Sequence, residues 1–172
     1  MQTIPSRQES AVPSSIGIRP IDPSDRAWVR DFLLAHNHSL RVVSRGVLHQ
    51  ASGLPGFIAS LDGMPSALLT YNIAGGDLEV VTLHAAEKGH GLGSALLGAA
   101  RTKARELGCR RLWLITTNDN EPAIEFYRHR GMALVAVHEN ALEQSRKLKP
   151  EIPLTGLEGR PIQHEIEFEY RL

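Results

Sequence analysis

Short stretches in which apolar residues alternate with other residues recur along the chain, and this period of two is typical of half-buried β-strands. Residues 16–21 (IGIRPI) form the first such stretch. Two apolar runs, GFIASL and SALLTYNI, lie on either side of DGMP and predict a hairpin. After the turn residues AGGD, the run LEVVTLHA predicts another strand. This part of the chain is therefore predicted to form an antiparallel meander.

A helical period is present in three other places. Asp22 is predicted to cap a first helix, with Asp25 in the capping-box position. A second apolar stripe runs from Leu92 to Leu107 and ends at a glycine, the residue type that favours helix C-termini. The third helix is predicted within NDNEPAIEFYRHRGM, and Asn120 suits its N-terminus.

Strand patterns return in the second half of the chain. RRLWLITT is apolar on both faces and predicts a central strand, and ALVAVH predicts another. In EIEFEYRL the alternation is strict, which places one set of residues on a buried face: Ile166, Phe168 and Tyr170. The same alternation places a second set on the solvent face: Glu165, Glu167 and Glu169.

These elements predict a single α/β domain over residues 16–172, built on a mixed, mostly antiparallel sheet flanked by helices. Residues 1–15 are polar and rich in Pro and Ser, so they are predicted to form a flexible tail. Residues 37–54 have no clear period and are predicted to include a short helix or a loop. The connection over residues 139–164 is long for two paired strands, and long loops are often functional.

Charge, cysteine content and hydropathy narrow the functional classes. Nineteen basic residues balance nineteen acidic ones. Nucleic-acid-binding proteins usually carry a basic excess, so DNA or RNA is not expected as a partner. Cys109 is the single cysteine, so no disulfide can form within the chain. No apolar run approaches the ~20 residues that cross a bilayer, and no stretch resembles a signal peptide. We therefore expect a cytoplasmic protein without a membrane partner.

Gly89, Gly91 and Gly93 lie between the last strand of the meander and the second helix, in EKGHGLGSALL. A strand, a glycine-rich turn and a helix together present free backbone N–H groups, and the helix dipole adds partial positive charge. This arrangement favours an anion such as a pyrophosphate, although the same glycines could serve only a tight turn. The P-loop motif is absent, and the third glycine falls one position too early for the dinucleotide fingerprint.

The stretch KGHGLGSALL resembles the acyl-CoA loop Q/R-x-x-G-x-G/A of the GCN5-related N-acetyltransferase (GNAT) superfamily. Downstream, NEPAIEFYRHRGM resembles the family's second signature, N-x-x-A-x-x-F-Y-x-x-x-G-F. The order and the separation of the two signatures also match, and the resemblance extends from about Ile16 to Leu172. Two positions depart from the pattern, since Lys88 replaces Gln or Arg and Met132 replaces Phe. The resemblance implies a sheet that is splayed at the acyl-CoA site.

The same resemblance implies acetyl-CoA as the cosubstrate and no metal. The loop residues that it implies to hold CoA are Lys88, Gly89, His90, Gly91, Leu92, Gly93 and Ser94. Leu83, on the preceding strand, is implied to bond the pantetheine arm through its backbone and to polarise the thioester carbonyl with its N–H. Asn120 either contacts the pantetheine or only caps its helix.

Catalytic groups are also implied by the resemblance. Tyr127 is implied to protonate the departing CoA thiolate, and the alternative is a tyrosine of the core. Glu79 is the candidate general base for the amine, and the alternative is a glutamate that faces solvent. His84 is a second candidate for the base, since an imidazole with a pKa of about 6.5 can accept a proton near neutrality. His36 and His38 have no third ligand at a recognisable spacing, so no metal site is predicted.

The expected activity is direct transfer of an acetyl group from acetyl-CoA to a primary amine of a small molecule or a peptide, within a ternary complex. Arg41, Arg45, His49 and the loop PEIPLTGLEGRPIQ lie in the region that faces the acceptor in the family. They either shape the acceptor site or form ordinary surface. The alternative function is a non-catalytic acyl-CoA-binding or regulatory module on the same fold. The exposed edge near the C-terminal strand is compatible with a homodimer.

Overall fold

The computed structural model describes residues 14–172 and contains a seven-stranded sheet, a separate two-stranded hairpin and four α-helices. The strands are β1 (Ile16–Pro20), β2 (Arg41–Ser44), β3 (Val47–Gln50), β4 (Gly56–Leu61), β5 (Met64–Ala74), β6 (Asp77–Ala85), β7 (Arg111–Thr117), β8 (Ala133–His138) and β9 (Glu165–Arg171). The helices are α1 (Arg26–His36), α2 (Leu92–Glu106), α3 (Glu121–His129) and α4 (Ala141–Leu148). The predicted tail, residues 1–15, lies outside the described residues except for its last two.

The large sheet has the strand order β1-β4-β5-β6-β7-β9-β8, and β2 pairs with β3 in the separate hairpin. Every neighbouring pair in the large sheet is antiparallel except β6 and β7, which are parallel. The predicted fold class, an α/β fold with a mixed, mostly antiparallel sheet flanked by helices, is therefore confirmed.

The two faces of the sheet are covered by different helices. On one face α2 places Leu96, Ala100 and Ala104 in a core that also holds the buried residues of β7 and β9. Leu96, Ala100 and Ala104 are fully buried, and the two alanines let the helix backbone lie close to the sheet. On the other face α1 packs Val29 and Leu33 against β4 and β5. Helix α2 therefore buries most of the apolar stripe that its periodicity predicted, although Leu107 at its end is 54% exposed.

Residues 37–54 contain the β2–β3 hairpin, which the sequence did not predict, followed by a short 3₁₀ helix over Ala51–Gly53, which agrees with the predicted short helix or loop. The hairpin turns at Arg45 and Gly46, both with positive φ (47° and 77°). The apolar residues of both strands fall at adjacent positions, Val42–Val43 and Val47–Leu48, so the usual alternation of apolar and polar residues is missing. The α1 start follows the prediction more closely, since the capping box between Asp22 and Asp25 is present and precedes α1 by one 3₁₀ turn.

Strand β9 corrects a second prediction. Its apolar residues face the core as predicted, but Glu165 and Glu169 are only 2% and 6% exposed instead of facing solvent. The reason is that the β2–β3 hairpin and α4 cover this face. Arg45 of the hairpin turn and Ser145 of α4 both bond the Glu165 carboxylate at 3.3 Å. Alternation along one strand cannot reveal a cover that distant parts of the chain provide.

Glu167 and Glu169 of β9 are both bonded by Arg111 on the neighbouring strand, and each has a second partner, His138 for Glu167 and Arg171 for Glu169. The Arg111 guanidinium donates to Glu167 at 3.0 Å, to Glu169 at 2.9 Å and to Asp77 at 3.0 Å. A carboxylate loses its hydration when it is buried, and charge-assisted hydrogen bonds of this kind offset that cost. The covered face of the sheet is consequently a packed polar layer, in contrast to the apolar core beneath α2.

Strands β6 and β7 separate after a short paired segment. They pair at only three positions, Leu78 to Val80 with Leu112 to Leu114, although β6 continues to Ala85 and stays paired with β5. The β5–β6 register shifts next to Val80, which leaves Val81 as an extra residue in β6. Such a bulge bends the strand and increases its twist. The sheet is therefore splayed between β6 and β7.

Helices α2 and α3 meet at Gly93. A Cβ atom built on Gly93 would lie 3.0 Å from the ring of Phe126, whereas Gly98 in the same helix has open space around it. The ring of Phe126 thus occupies the volume that a side chain at position 93 would need.

We expect Gly98→Ala to raise the free energy of unfolding by about 0.5–1 kcal/mol, because alanine loses less backbone entropy in a helix than glycine. Gly93→Ala should give a smaller gain or a loss, since the Phe126 ring must move by a few tenths of an ångström. Urea denaturation of the two variants measures the difference. Equal stabilisation by both substitutions would contradict this account of the α2–α3 contact.

Candidate functional site

The splay between β6 and β7 opens into a cleft of about 530 Å³. Its walls come from the end of β6, the glycine loop, the first turn of α2 and one side of α3. The lining includes nearly all the residues predicted to bind a cofactor: Leu83, Lys88, Gly89, Gly91, Leu92, Gly93, Ser94 and Asn120. Tyr127 and His84 also line it. Two predicted site residues are placed elsewhere, since His90 faces Glu87 at 3.2 Å and Glu79 lies on the hairpin side of the sheet.

The glycine loop gives the cleft a floor of backbone N–H groups. Gly89 and Gly91 have φ values of 84° and 79°, in the left-handed region that side-chain-bearing residues rarely adopt. Gly91 is the N-cap of α2, and no side chain caps this helix start. The first N–H groups of an α-helix have no intrahelical partner, so those of the first α2 turn are available to an anion. The positive φ values and the free N–H groups are properties of the same turn.

The N–H of Leu83 is directed into the splay. Just beyond β6, the Ala86 N–H donates to the carbonyl of Ser66 at the start of β5, at 2.8 Å. Successive N–H groups along a strand point to opposite edges, so the N–H groups of Ala86 and His84 face β5 while that of Leu83 faces away from it. No strand is paired with β6 on that side at Leu83. The donor therefore faces the cleft.

Tyr127 is on the α3 side of the cleft. Its ring centroid lies 5.7 Å from that of Phe168, and Phe126 packs edge-on at 5.3 Å. Burial raises the pKa of the Tyr127 hydroxyl to about 12, so the group keeps its proton at neutral pH. Both readings of the residue therefore agree with its position, because it packs in the core and also borders the cleft. Asn120 caps α3 by accepting a 3.3 Å hydrogen bond from the Ala123 N–H.

Glu79 is buried on the opposite face of the sheet, under the β2–β3 hairpin. It is 7% exposed, so the alternative of a solvent-facing glutamate is wrong. The pKa of the Glu79 carboxyl is raised to about 7, chiefly by burial. A hydrogen bond from the Ser44 hydroxyl and the charge of Arg111 act against this rise, while the nearby carboxylates of Glu165 and Glu167 add to it. A carboxyl with a pKa near the working pH can accept a proton and release it again.

His84 is held by the end of α1. Its Nε2 lies 3.2 Å from the Asn37 Oδ1, and a neutral ring that donates this proton leaves Nδ1 as an acceptor. Burial lowers the pKa of His84 to about 4, and the neighbouring His36 and His38 act in the same direction. At neutral pH the imidazole is therefore uncharged and weakly basic, which favours Glu79 over His84 as the base.

Arg130 is a lining residue that the sequence did not single out. Its guanidinium lies 3.6 Å from the centroid of the Phe126 ring and donates to the Ser94 hydroxyl at 2.6 Å. It thereby connects α3 to the first turn of α2 and brings a positive charge to the cleft. The sequence feature that could have identified Arg130 is its position in the FYRHRGM segment, directly before the glycine that ends the helix.

The region expected to face the acceptor is divided by the structure. Arg45 bonds Glu165, and Arg41 pairs with Glu151 of the long connection, while His49 lies against Glu79. The long connection itself is fastened to the β7–α3 turn, because Asn118 accepts from the backbone N–H groups of Gln163 and His164. Of the three residues named from the sequence in this region, His49 is the one next to a candidate catalytic group.

Two negative observations concern residues 14–172. Within this range no group of three or more His, Cys, Asp or Glu side chains is arranged to hold a metal ion. None of the described helices is both long enough and apolar enough to span a bilayer.

Comparisons with known proteins identify relatives of this chain. The protein YdhI of Bacillus subtilis (strain 168) is 39% identical over 152 residues, which are 88% of this chain and 95% of YdhI. A streptothricin acetyltransferase of Streptomyces lavendulae is 35% identical over 94 residues, or 55% of this chain and 48% of that protein.

A Bacillus subtilis acetyltransferase solved in complex with CoA has the same fold, with a TM-score of 0.70 at 15% identity over 92% of this chain and 99% of that one. The model of the acetyltransferase (GNAT) family matches residues 26–132, which include the glycine loop, the splayed strand and α3. The chain therefore belongs to the acetyltransferase (GNAT) family.

Proposed function

We propose that this protein transfers the acetyl group of acetyl-CoA directly to a primary amine within a ternary complex. The observation that carries the proposal is the cleft at the β6–β7 splay, which brings the glycine loop, the Leu83 N–H and Tyr127 to one cavity. The complex of a structural neighbour with CoA supports CoA as the ligand class.

Binding would use backbone groups more than side chains. The free N–H groups of Gly89 to Ser94 would hold the CoA pyrophosphate at the positive end of the α2 dipole. Lys88 and Arg130 add positive charge at the rim. The pantetheine arm would lie in the splay in place of a strand, and the Leu83 N–H would donate to the thioester carbonyl oxygen as negative charge develops there.

The chemistry requires one group that accepts a proton and one that donates a proton. The amine nitrogen attacks the thioester carbon, the N–C bond forms and the C–S bond breaks. The proton of the amine passes to the Glu79 carboxylate, directly or through a water, and Tyr127 donates its proton to the thiolate. The raised pKa of Glu79, about 7, places it close to equal populations of both forms at neutral pH.

The acceptor is proposed to be an amine of a small molecule or a peptide. The relative named streptothricin acetyltransferase makes streptothricin the first compound to test, followed by a panel of amines assayed for thiol release. A non-catalytic acyl-CoA-binding module remains the alternative function, and the kinetic variants below distinguish the two.

Gly91→Glu should abolish acetyl-CoA binding, because the side chain places bulk and negative charge where the pyrophosphate would lie. Gly63→Glu is the matched control, since Gly63 has a similar positive φ of 84° but lies in the distant β4–β5 turn. Isothermal titration calorimetry with acetyl-CoA measures both. Unchanged affinity of the Gly91 variant would place the ligand elsewhere.

Glu79→Gln should lower kcat/KM by about 100-fold or more and remove the acid limb of its pH profile near pH 7, because the base that titrates there is gone. Tyr127→Phe should lower kcat while acetyl-CoA affinity is kept. Steady-state kinetics with the best amine of the panel test both variants. If both variants have wild-type rates at saturating substrate concentrations, the result supports the alternative function, a non-catalytic acyl-CoA-binding module.

Glu79 should also make folding stability depend on pH. Its folded pKa, about 7, is above the ordinary value of 4.5, so the native state binds an extra proton between these values. Its stabilising contribution is therefore complete below about pH 4.5 and is lost as the pH rises to about 7. Glu79→Gln removes this loss and should be more stable than the wild type at pH 8 by about 1–3 kcal/mol.

Urea denaturation at pH 5 and pH 8 measures this effect. Glu143→Gln, an exposed glutamate on α4, is the control and should leave the pH dependence unchanged. A Glu79 variant with the wild-type pH dependence would show that burial of this carboxyl has no such cost.

A further inference from the structure

Three buried polar side chains lie together beneath the β2–β3 hairpin: Ser44, His49 and Glu79. These residues are 4%, 7% and 7% exposed. The Ser44 hydroxyl lies beside the Glu79 carboxylate and lowers its pKa, whereas His49 Nε2 and Glu79 Oε1 have no hydrogen-bond partner among the described residues. An unpaired polar group that is buried is destabilising, so these two atoms call for a role beyond the fold.

Within this cluster the imidazole of His49 approaches the Glu79 carboxylate. The His49 Nε2 lies 3.5 Å from the Glu79 Oε2, which is just longer than a good hydrogen bond. His49 is on β3, directly opposite Val42 of β2, so the hairpin carries its imidazole to the buried face of β6. Burial lowers the pKa of His49, and a neutral imidazole can donate one N–H without adding charge.

The other charged groups around Glu79 are already committed to different partners. From β9, Glu165 is bonded by Arg45 and Ser145, and Glu167 is bonded by Arg111 and approached by His138 of β8 at 3.2 Å. Arg111 of β7 divides its donors among three carboxylates, and Glu79 is not one of them. From the hairpin, His49 faces Glu79 with its ring nitrogen Nε2.

We propose that His49 is a positioning residue for Glu79: its Nε2–H donates to the Glu79 carboxylate, holds it in one orientation and favours its ionised form. The inference rests on the proposed function, in which Glu79 takes the proton of the amine. During transfer His49 keeps its own proton. The amine proton goes to Glu79, the N–C bond replaces the C–S bond, and Tyr127 supplies the proton of the thiol.

Three variants test the role. His49→Leu removes the donor at similar volume, and His49→Gln places an amide N–H near the same position. Val42→Ala disturbs the packing of the hairpin opposite His49 without changing a polar group. The carboxyl of Glu79 is titrated by ¹³C NMR in each full-length protein, with Glu79→Gln to assign the signal, and kcat/KM is measured from pH 5.5 to 9.

We expect His49→Leu to raise the pKa of Glu79 and the acid limb of kcat/KM by about one pH unit, since a hydrogen bond to a charged group contributes on this scale. His49→Gln should restore both toward the wild type, and Val42→Ala should leave both in place even if it lowers the rate. A lower rate without any movement of the limb in His49→Leu would assign His49 a structural role and overturn the proposal.

The proposal can also be tested on the wild-type protein, so that the result does not depend on whether a variant folds. ¹⁵N NMR of the imidazole should show the Nε2–H tautomer of His49 between pH 6 and 9, and the Nδ1–H tautomer would overturn the proposal. Absence of acetyl transfer with a normal NMR titration would count against the proposed function instead, since neither NMR readout uses a substrate.

Discussion

The separation of β6 from β7 is the constraint on which the candidate site depends. The two strands pair at three positions and diverge beside the bulge at Val81, so the end of β6 keeps one edge unpaired. An unpaired strand edge buried in a domain would be costly, because its N–H and C=O groups lose their hydration. Here that edge borders a cleft, where a ligand with amide groups can complete the pairing. The same divergence leaves room for α2 to begin at the open end of the sheet.

The glycines of the loop do two different things. Gly89 and Gly91 allow the positive φ values that turn the chain into α2, and this turn exposes the N–H groups of the helix start. Gly93 instead makes room for the ring of Phe126, which Arg130 covers from the other side. A turn requirement and a ligand requirement are therefore not alternatives at this site, because one backbone conformation produces both.

The two groups proposed to be catalytic, Tyr127 and Glu79, lie on opposite faces of the sheet and occupy different environments. Tyr127 borders the apolar core, where burial raises its pKa and keeps it protonated. Glu79 lies in a layer of carboxylates, arginines and histidines, where burial raises its pKa into the neutral range. Each shift suits the role proposed for the group, one as a proton donor and the other as a base.

The sequence by itself determined the elements whose signals are local. The periods of two and 3.6, the capping residues Asp22 and Asn120 and the spacing of the glycines located the meander, α2 and α3, and the two family signatures placed the cleft residues. The tertiary structure alone decided which polar residues are buried. The glutamates of β9 were misread because alternation records one strand, whereas their burial comes from contacts with Arg45, Arg111 and Ser145. The β2–β3 hairpin within residues 37–54 was missed because its strands do not alternate. The approach of His49 to Glu79 joins residues 30 positions apart, and no local pattern encodes such a distance.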